Sequence, residues 1–473
     1  MIAGLKPYAE YKESGLPWLG QVPGHWEVKR SKSIFQRVDV RSRTGKEELL
    51  TVSSVRGIVP RKTATVTMFK AESYLGYKLC WSGDLVINSL WAWAGGLGVS
   101  NHHGIISSAY GVYRIRQDAP MIPAFVHEVV RSSSFNWELR VRSKGVWISR
   151  LQLTDISFLD APMHLPPPAE QAAIVRFLDW ANGRLERAIR AKRRVIALLN
   201  EQKQAIIHRA VTRGLDPSVP LKSSDIPWLG DIPQHWEVRP LKAVCEIQSG
   251  ITLGKVYAGQ ALREYPYLRV ANVQAGHANL AVVKTIRVTK AEARRCMLQK
   301  GDVLMTEGGD PDKLGRGCVW DAQVAPCLHQ NHVFAVRPNQ SQLDPHFLSA
   351  LMGTSYARAY FQSTAKQTTN LAATNKTKIG QFEVLLPKVD EQNKIVTALS
   401  EETRPVNTAI SRLEREIELL REYRTRLVAD VVTGKLDVRE AAAQLPDEVA
   451  PEISEDDTDL SDEAEAADEE SAV

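Results

Sequence analysis

The sequence predicts an α+β protein: two α+β domains separated by two long coiled-coil helices, arranged as an internal pseudo-twofold repeat. Three observations predict it. Leu165–Asp216 and Leu386–Asp437 align without a gap at a fixed offset of 221, with Leu165, Pro166, Glu170, Gln171, Ile174, Val175, Leu178, Thr212, Leu215 and Asp216 recurring as Leu386, Pro387, Glu391, Gln392, Ile395, Val396, Leu399, Thr433, Leu436 and Asp437. Upstream, PWLGQVPGHWEV (Pro17–Val28) and PWLGDIPQHWEV (Pro227–Val238) agree at 9 of 12 positions. Between these anchors the two halves share few residues but keep the same landmarks. The chain therefore divides into 1–164, a first variable domain; 165–216, a central long helix; 217–385, a second variable domain; 386–440, a C-terminal long helix; and 441–473, an acidic tail.

The opening segments carry Trp18, Trp26, Trp228 and Trp236 among prolines. Such an extended, aromatic-anchored stretch is expected to pack on a neighbouring element, although indoles can also stack on bases. In the first variable domain WSGDLVINSLWAW (Trp81–Trp93) precedes GIISSAYGVYRIR (Gly104–Arg116); in the second QKGDVLMTEGGD (Gln299–Asp310) precedes CLHQNHVFAVRP (Cys327–Pro338). Both pairs read as a Gly-Asp turn into a strand, a loop, and a second strand ending in basic residues. β-Rich runs at Leu49–Val55, Tyr267–Val273 and Ala281–Val288 supply further strands, and Pro123–Arg131 and Pro345–Arg358 read as helices. Strands and helices mixed in this way make each region a compact α+β domain.

Both long segments show a heptad seam. Leu178, Leu185, Leu199 and Ile206 in one, and Leu399, Val406, Leu413, Leu420 and Leu427 in the other, fall seven or fourteen apart, with Ile189, Ile196, Ile410 and Ile417 in the neighbouring row. Two such seams can bury each other, and a pattern of this length exceeds that of an ordinary core helix. Lys192, Lys203 and Arg424 interrupt the seams; Gly214 and Gly434 mark the ends, and Pro405 marks a kink or break.

Composition bounds the function. With 44% hydrophobic and 24% charged residues the chain is that of a globular protein, and no run approaches the ~18–20 apolar residues of a membrane span, so a cytoplasmic protein with no membrane partner is expected. Cys80, Cys245, Cys296, Cys318 and Cys327 are odd in number and form no CxxC pair, which supports neither a zinc knuckle nor a disulfide framework. The net charge of +5 conceals an asymmetry: the stretch from Asp447 to Glu470 holds 13 acids, and residues 1–446 carry a net +18. A body so basic favours a polyanionic partner, while the tail reads as a disordered, solvating segment.

No catalytic, cofactor-binding or metal-binding pattern emerges. GGLG at Gly95–Gly98 and the run from Glu307 to Gly317 lack both the Lys-Ser/Thr ending of a P-loop and GxGxxG spacing. His102 and His103 have no carboxylate or thiol cluster beside them, and neither a GxSxG elbow nor the Asn/Asp-Pro-Pro-aromatic tetrapeptide of amino-methyltransferases occurs. Asp302, Glu307, Asp310 and Asp312 read as loop residues, since the stretch after Asp84 does not repeat the later three. What remains is an inventory suited to DNA: Trp91, Trp93, Asn101, His102, Arg140, Arg142 and Lys144 in the first domain, and Arg269, Asn272, Lys313, Arg316, Gln330, Asn331, Lys366, Gln367, Thr369, Asn370 and Lys376 in the second. Arg and Lys suit phosphate and guanine, and Asn and Gln suit adenine.

The duplicated LPxPxxEQxxIV-like helices, the PWLGxxPxHWEV segments, the GDxLxxxxGG-like strand and loop, and QTTNL before the second helix together resemble the specificity subunit of type I restriction-modification systems, over about residues 10 to 440. The resemblance implies two target-recognition domains, each reading one half of a split sequence in double-stranded DNA. It implies that the long helices pair antiparallel as a spacer and dock two methyltransferase subunits, which recruit two restriction-translocase subunits. S-adenosylmethionine, ATP and Mg would be bound by those partners and no cofactor by this chain. Lys144–Leu153 departs from the pattern, with no clear QTTNL equivalent. The alternatives are a self-contained DNA methyltransferase or nuclease, which the missing motifs oppose, and a coiled-coil scaffold binding only protein, which the basic body opposes.

Overall fold

A computed structural model describes residues 5–16, 19–64, 71–145, 151–226, 228–255, 257–309, 315, 317–367 and 372–446. The chain gathers into two compact units, Met1–Arg193 with Glu414–Val473, and Arg194–Leu413.

In the first unit the Gly-Asp strand Leu85–Ile87 lies inside an antiparallel sheet of order Phe35–Arg37, Gly111–Ile115, Leu85–Ile87, Leu97–Val99. Alternation places Leu85, Ile87 and Tyr113 in a core with the helix Pro123–Arg131, while Val86 and Val112 face a second core with Leu50, Ile58, Cys80 and Ile106. Pro123–Arg131 forms over its predicted span, with proline in its first turn and Phe125, Val126, Val129 and Val130 buried. The second unit holds a sheet of order Cys245–Ser249, Val333–Pro338, Val303–Thr306, Gly317–Val319. Val303, Met305, Phe334 and Val336 face one core; Leu304, Val333, Ala335 and Cys318 face the other.

Several predicted elements come out shorter. The strand expected at Leu49–Val55 is Leu50–Ser53, that at Ala281–Val288 is Lys284–Val288, and the run Tyr267–Val273 is the end of Arg263–Leu268 followed by a 3-10 turn at Val270–Asn272. The helix expected over Pro345–Arg358 is two, Pro345–Met352 and Ser355–Thr364, because Thr354 turns extended and its hydroxyl accepts from the Ala357 amide as an N-cap.

The long helices span Pro168–Arg213 and Val389–Val432. Pro405 does not break the second: its ring and Glu401, whose carbonyl loses its donor, both lie on the exposed face, where water can take that bond. Of the seam residues, Leu178, Ile189, Leu399, Val406, Ile417 and Leu427 are buried. Two residues that interrupt the heptads have partners within the first unit: Lys192 meets Glu416 at 2.6 Å, and Arg424 meets Glu186. Position numbers rise along one helix as they fall along the other, as in an antiparallel pair. The five cysteines are free, with Cys245 half-buried and the rest buried. Among the described residues no helix is long and apolar enough to cross a membrane.

Candidate nucleic-acid interface

The duplicated motifs turn out to hold each domain to its long helix. Glu170, in the first turn of the central helix, accepts from Trp26 Nε1 at 2.8 Å, lies 2.7 Å from His25 Nε2, and accepts from the Tyr8 hydroxyl. Beside it Gln171 accepts from the Ile122 amide (2.8 Å) and donates to the carbonyls of Pro120 (2.7 Å) and Pro166 (2.8 Å). The second half does the same: Glu391 takes Trp236 Nε1 at 3.0 Å and lies 2.9 Å from His235, while Gln392 accepts from Asp344 N (2.7 Å) and donates to Gln342 O (2.8 Å) and Pro387 O (2.9 Å). A carboxylate at a helix N-terminus also complements the dipole there. Trp26 and Trp236 are fully buried, and Trp26 stacks on His164 at 5.5 Å. Burial lowers His164 to about 4, so the ring is neutral. The packing expected of all four tryptophans fails for Trp228, which is 45% exposed while its neighbour Leu229 packs in the core; Trp18 lies outside the described residues.

The Gly-Asp turns are structural as well. Asp84 accepts from the Trp81 amide (3.0 Å) and from Arg114 at 2.8 and 2.9 Å; Asp302 accepts from Gln299 N (2.8 Å) and from Arg337 at 2.7 and 2.8 Å. Asp302 is thus a buried ion-pair member, which corrects its reading as a loop residue. Each aspartate ties the start of its strand to the strand beside it, and so sets where the following loop leaves the sheet.

In the first domain that loop is a tight turn closed by Asn88 N to Gly96 O at 2.9 Å. Within it Trp91 and Trp93 stack with centroids 6.0 Å apart, the Trp93 indole donates to Leu90 O at 3.0 Å, and Trp91 is 45% exposed. A Cβ on Gly96 would stand 2.8 Å from Trp91, so the turn needs glycine there. Lys144 and Gln152 exchange backbone bonds of 3.0 Å in an antiparallel bridge, and residues 146–150 lie outside the described residues. The chain after Gln152 is fixed to the tryptophan turn by Leu153 N to Ser89 O at 2.8 Å.

The second domain has a similar backbone arrangement. Lys366 and Gln367 pair with Ala373 and Ala372, which also pair with Gly308 and Gly309, and Thr374 N donates to Glu307 O at 2.8 Å. The backbone pairing of Lys144 with Gln152 thus has a counterpart in that of Lys366–Gln367 with Ala372–Ala373, despite the unrelated sequence. Asn331 and His332 join this site, since His332 Nδ1 lies 2.5 Å from Glu307 and Asn331 Nδ2 lies 3.4 Å from the His332 ring.

Other predicted contacts fall elsewhere. Asn101 and His102 leave the far end of strand Leu97–Val99 from the tryptophan turn, and His102 is held by Ser100. Arg140 and Lys144 are exposed, but Arg142 pairs with the buried Glu138. Asn272, expected to read bases, is buried: it accepts from Arg269 N (2.9 Å) and donates to Asn279 O (2.8 Å) and Val282 O (2.9 Å), so its amide is spent within the fold. Arg269 and Gln330 are half-buried around the same turn, with Gln330 N donating to Leu268 O at 2.9 Å. Lys376 is exposed at the start of a helix capped by Asn375. Lys313, Arg316, Thr369 and Asn370 lie outside the described residues, as does the Gln367 side chain. The sequence reading missed Trp137 and Val141, both exposed on the helix Ser133–Arg142 with Arg140, because a residue on a helix is read first as packing. Among the described residues no cluster of three His, Cys, Asp or Glu is placed to hold a metal.

Comparison with known proteins gives one consistent likeness. The family described as type I restriction modification DNA specificity domain matches residues 233–419. The MjaX specificity subunit of Methanocaldococcus jannaschii, named for a type I restriction enzyme, is 24% identical over 207 residues, 43% of this chain and 47% of that protein. The chain thus spans about half the length of that archaeal relative. The EcoKI specificity subunit of Escherichia coli K12, also of a type I restriction enzyme, is 22% identical over 345 residues, 72% of this chain and 71% of that one. A chain from a solved structure concerning complex assembly and conformational transition of the type I R-M system shares the fold, with a TM-score of 0.58 at 18% identity, over 88% of this chain and 99% of its own.

Proposed function

We propose, from its similarity to type I restriction-modification specificity subunits, that this chain is the noncatalytic subunit that selects the DNA sequence on which a restriction-modification complex acts. The observation that carries this reading is the pair of similar backbone sites with unrelated side chains: a Gly-Asp strand, a turn, and an antiparallel pairing fixed to that turn, offering Trp91, Trp93 and Lys144 in one domain and Asn331, His332 and Lys366 in the other. Exposed cations meet phosphates; amides, imidazoles and indoles meet bases. Different side chains on similar frames give different half-sites, so the target is bipartite and asymmetric.

The long helices act in this reading as an antiparallel coiled-coil spacer, supported in the first unit by the Lys192–Glu416 and Arg424–Glu186 pairs. Two methyltransferase subunits dock on the spacer, and two restriction-translocase subunits join them. S-adenosylmethionine, ATP and Mg belong to those partners, and the assembly works in the cytoplasm. Co-expression with methyltransferase subunits tests the reading: the purified complex should methylate DNA at a split sequence, and the chain alone should not. Methylation by the isolated chain would instead make it a self-contained enzyme, and a complex with no DNA binding would make it a protein scaffold.

A further inference from the structure

Arg131, the last residue of the helix Pro123–Arg131, is enclosed by backbone carbonyls from two separate turns. Its Nη1 donates to Gly95 O at 3.3 Å and Leu97 O at 2.9 Å, in and after the turn that carries Trp91 and Trp93. Its Nη2 donates to Ser54 O at 2.7 Å and Val55 O at 2.6 Å, in the turn between strands Leu50–Ser53 and Gly57–Pro60. A planar guanidinium presents donors in a fixed fork, so one side chain can hold two loops at a set separation. One helical turn earlier, His127 Nδ1 accepts from the Val99 amide at 3.3 Å. Its ring fills the space left by Gly57 and Gly98, where a Cβ would stand 2.9 and 3.3 Å from His127 Cε1. Burial and the neighbouring Arg131 lower His127 to about 4, which leaves the ring nitrogen free to accept. Both Trp91 and Val55 project from their turns with more than two fifths of their surface exposed.

We propose that Arg131 is the positioning residue of the first recognition domain: by holding Ser54–Val55 and Gly95–Leu97 on one guanidinium, it sets where Trp91 and Trp93 meet DNA and brings the Val55 turn into the same reading surface. The proposal rests on the DNA-reading role proposed above. Arg131 touches no base itself; it acts through the two turns. Removing the fork frees the turns to move separately, which blurs the reading of one half-site and leaves the other intact.

The test uses the complete complex with methyltransferase subunits and three duplexes, one with the full target found by sequencing methylated host DNA, and two with one half scrambled. The wild type should prefer the full target to both scrambled duplexes; if it prefers neither, the DNA-reading role fails and not this proposal alone. In Arg131→Met discrimination against one scrambled half should fall roughly tenfold, the worth of one good base contact, with the other half unaffected. Arg131→Lys, whose single ammonium cannot span both turns, should lose a smaller part of the same discrimination. If Arg131→Met does not assemble, Arg131→Lys decides: loss confined to one half supports the proposal. Unchanged discrimination in every variant that assembles, or equal loss at both halves, overturns it.

Discussion

Glu170 and Glu391 occupy matching places at the starts of the two long helices, yet their surroundings differ. Glu170 is 4% exposed and serves Trp26, His25 and Tyr8; Glu391 is 30% exposed and serves Trp236 and His235. Removing a buried carboxylate orphans its donors, so Glu170→Ala should cost about 3 kcal/mol and Glu391→Ala about half that, read from urea denaturation midpoints of the two variants. Equal losses would contradict this ranking. The four letters His, Trp, Glu and Gln were legible in the sequence as a motif, but not as one device, because His25 and Glu170 lie 145 positions apart. Glu128 gives a pH prediction. Burial and then the nearby Asp179 raise it to about 6, against an ordinary value near 4.5, so ionising it penalises the folded state. That penalty is absent below the ordinary value and complete above about pH 6. Glu128→Gln should therefore stabilise the protein by about 1–2 kcal/mol at pH 7.5 and by little at pH 4.5. A difference that grows towards acid pH would reverse the sign and refute it.

Among the elements, those with a strong local pattern were legible and those made by distant pairing were not. Pro123–Arg131 carries its proline start and its apolar face in nine residues, and the sequence suffices for it. The pairing of Lys144 with Gln152 has no such pattern, and the residue that follows it, Leu153, bonds to Ser89, far back in the chain. Asn272 looked like a reader of adenine because amide side chains suit that base, but only the fold reveals that its donors and acceptor are already taken. An interior proline loses a hydrogen bond, so the sequence points to a kink or break at Pro405; the break is absent, since the helix Val389–Val432 runs through it on an exposed face. Pro405→Ala restores that bond and should stabilise the protein by about 1–2 kcal/mol, less than the ~3 kcal/mol cost of an interior proline because the unfolded chain gains freedom. A lower unfolding midpoint in this variant would mean that proline is needed there, for instance to shape the helix.

At the level of the whole molecule the sequence was most informative about what repeats and least about what reads DNA. Repeated residues such as Glu170, Gln171, Trp26 and Asp84 hold each domain together and to its helix, and they recur because both domains use the same joints. Residues that would distinguish one target from another are free to differ, so repetition cannot point to them; nor does the sequence mark Arg131, which holds the two turns of the first domain together. In the proposed function this chain selects the target, and each variable domain reads one half of it. This is tested most directly by replacing residues 1–164 with the corresponding domain of a relative of different specificity and sequencing the methylated bases of a host that carries the rest of the system. The methylated sequence should have one half exchanged and the other half kept; an unchanged sequence, or one altered in both halves, would rule out a separate reader for each half.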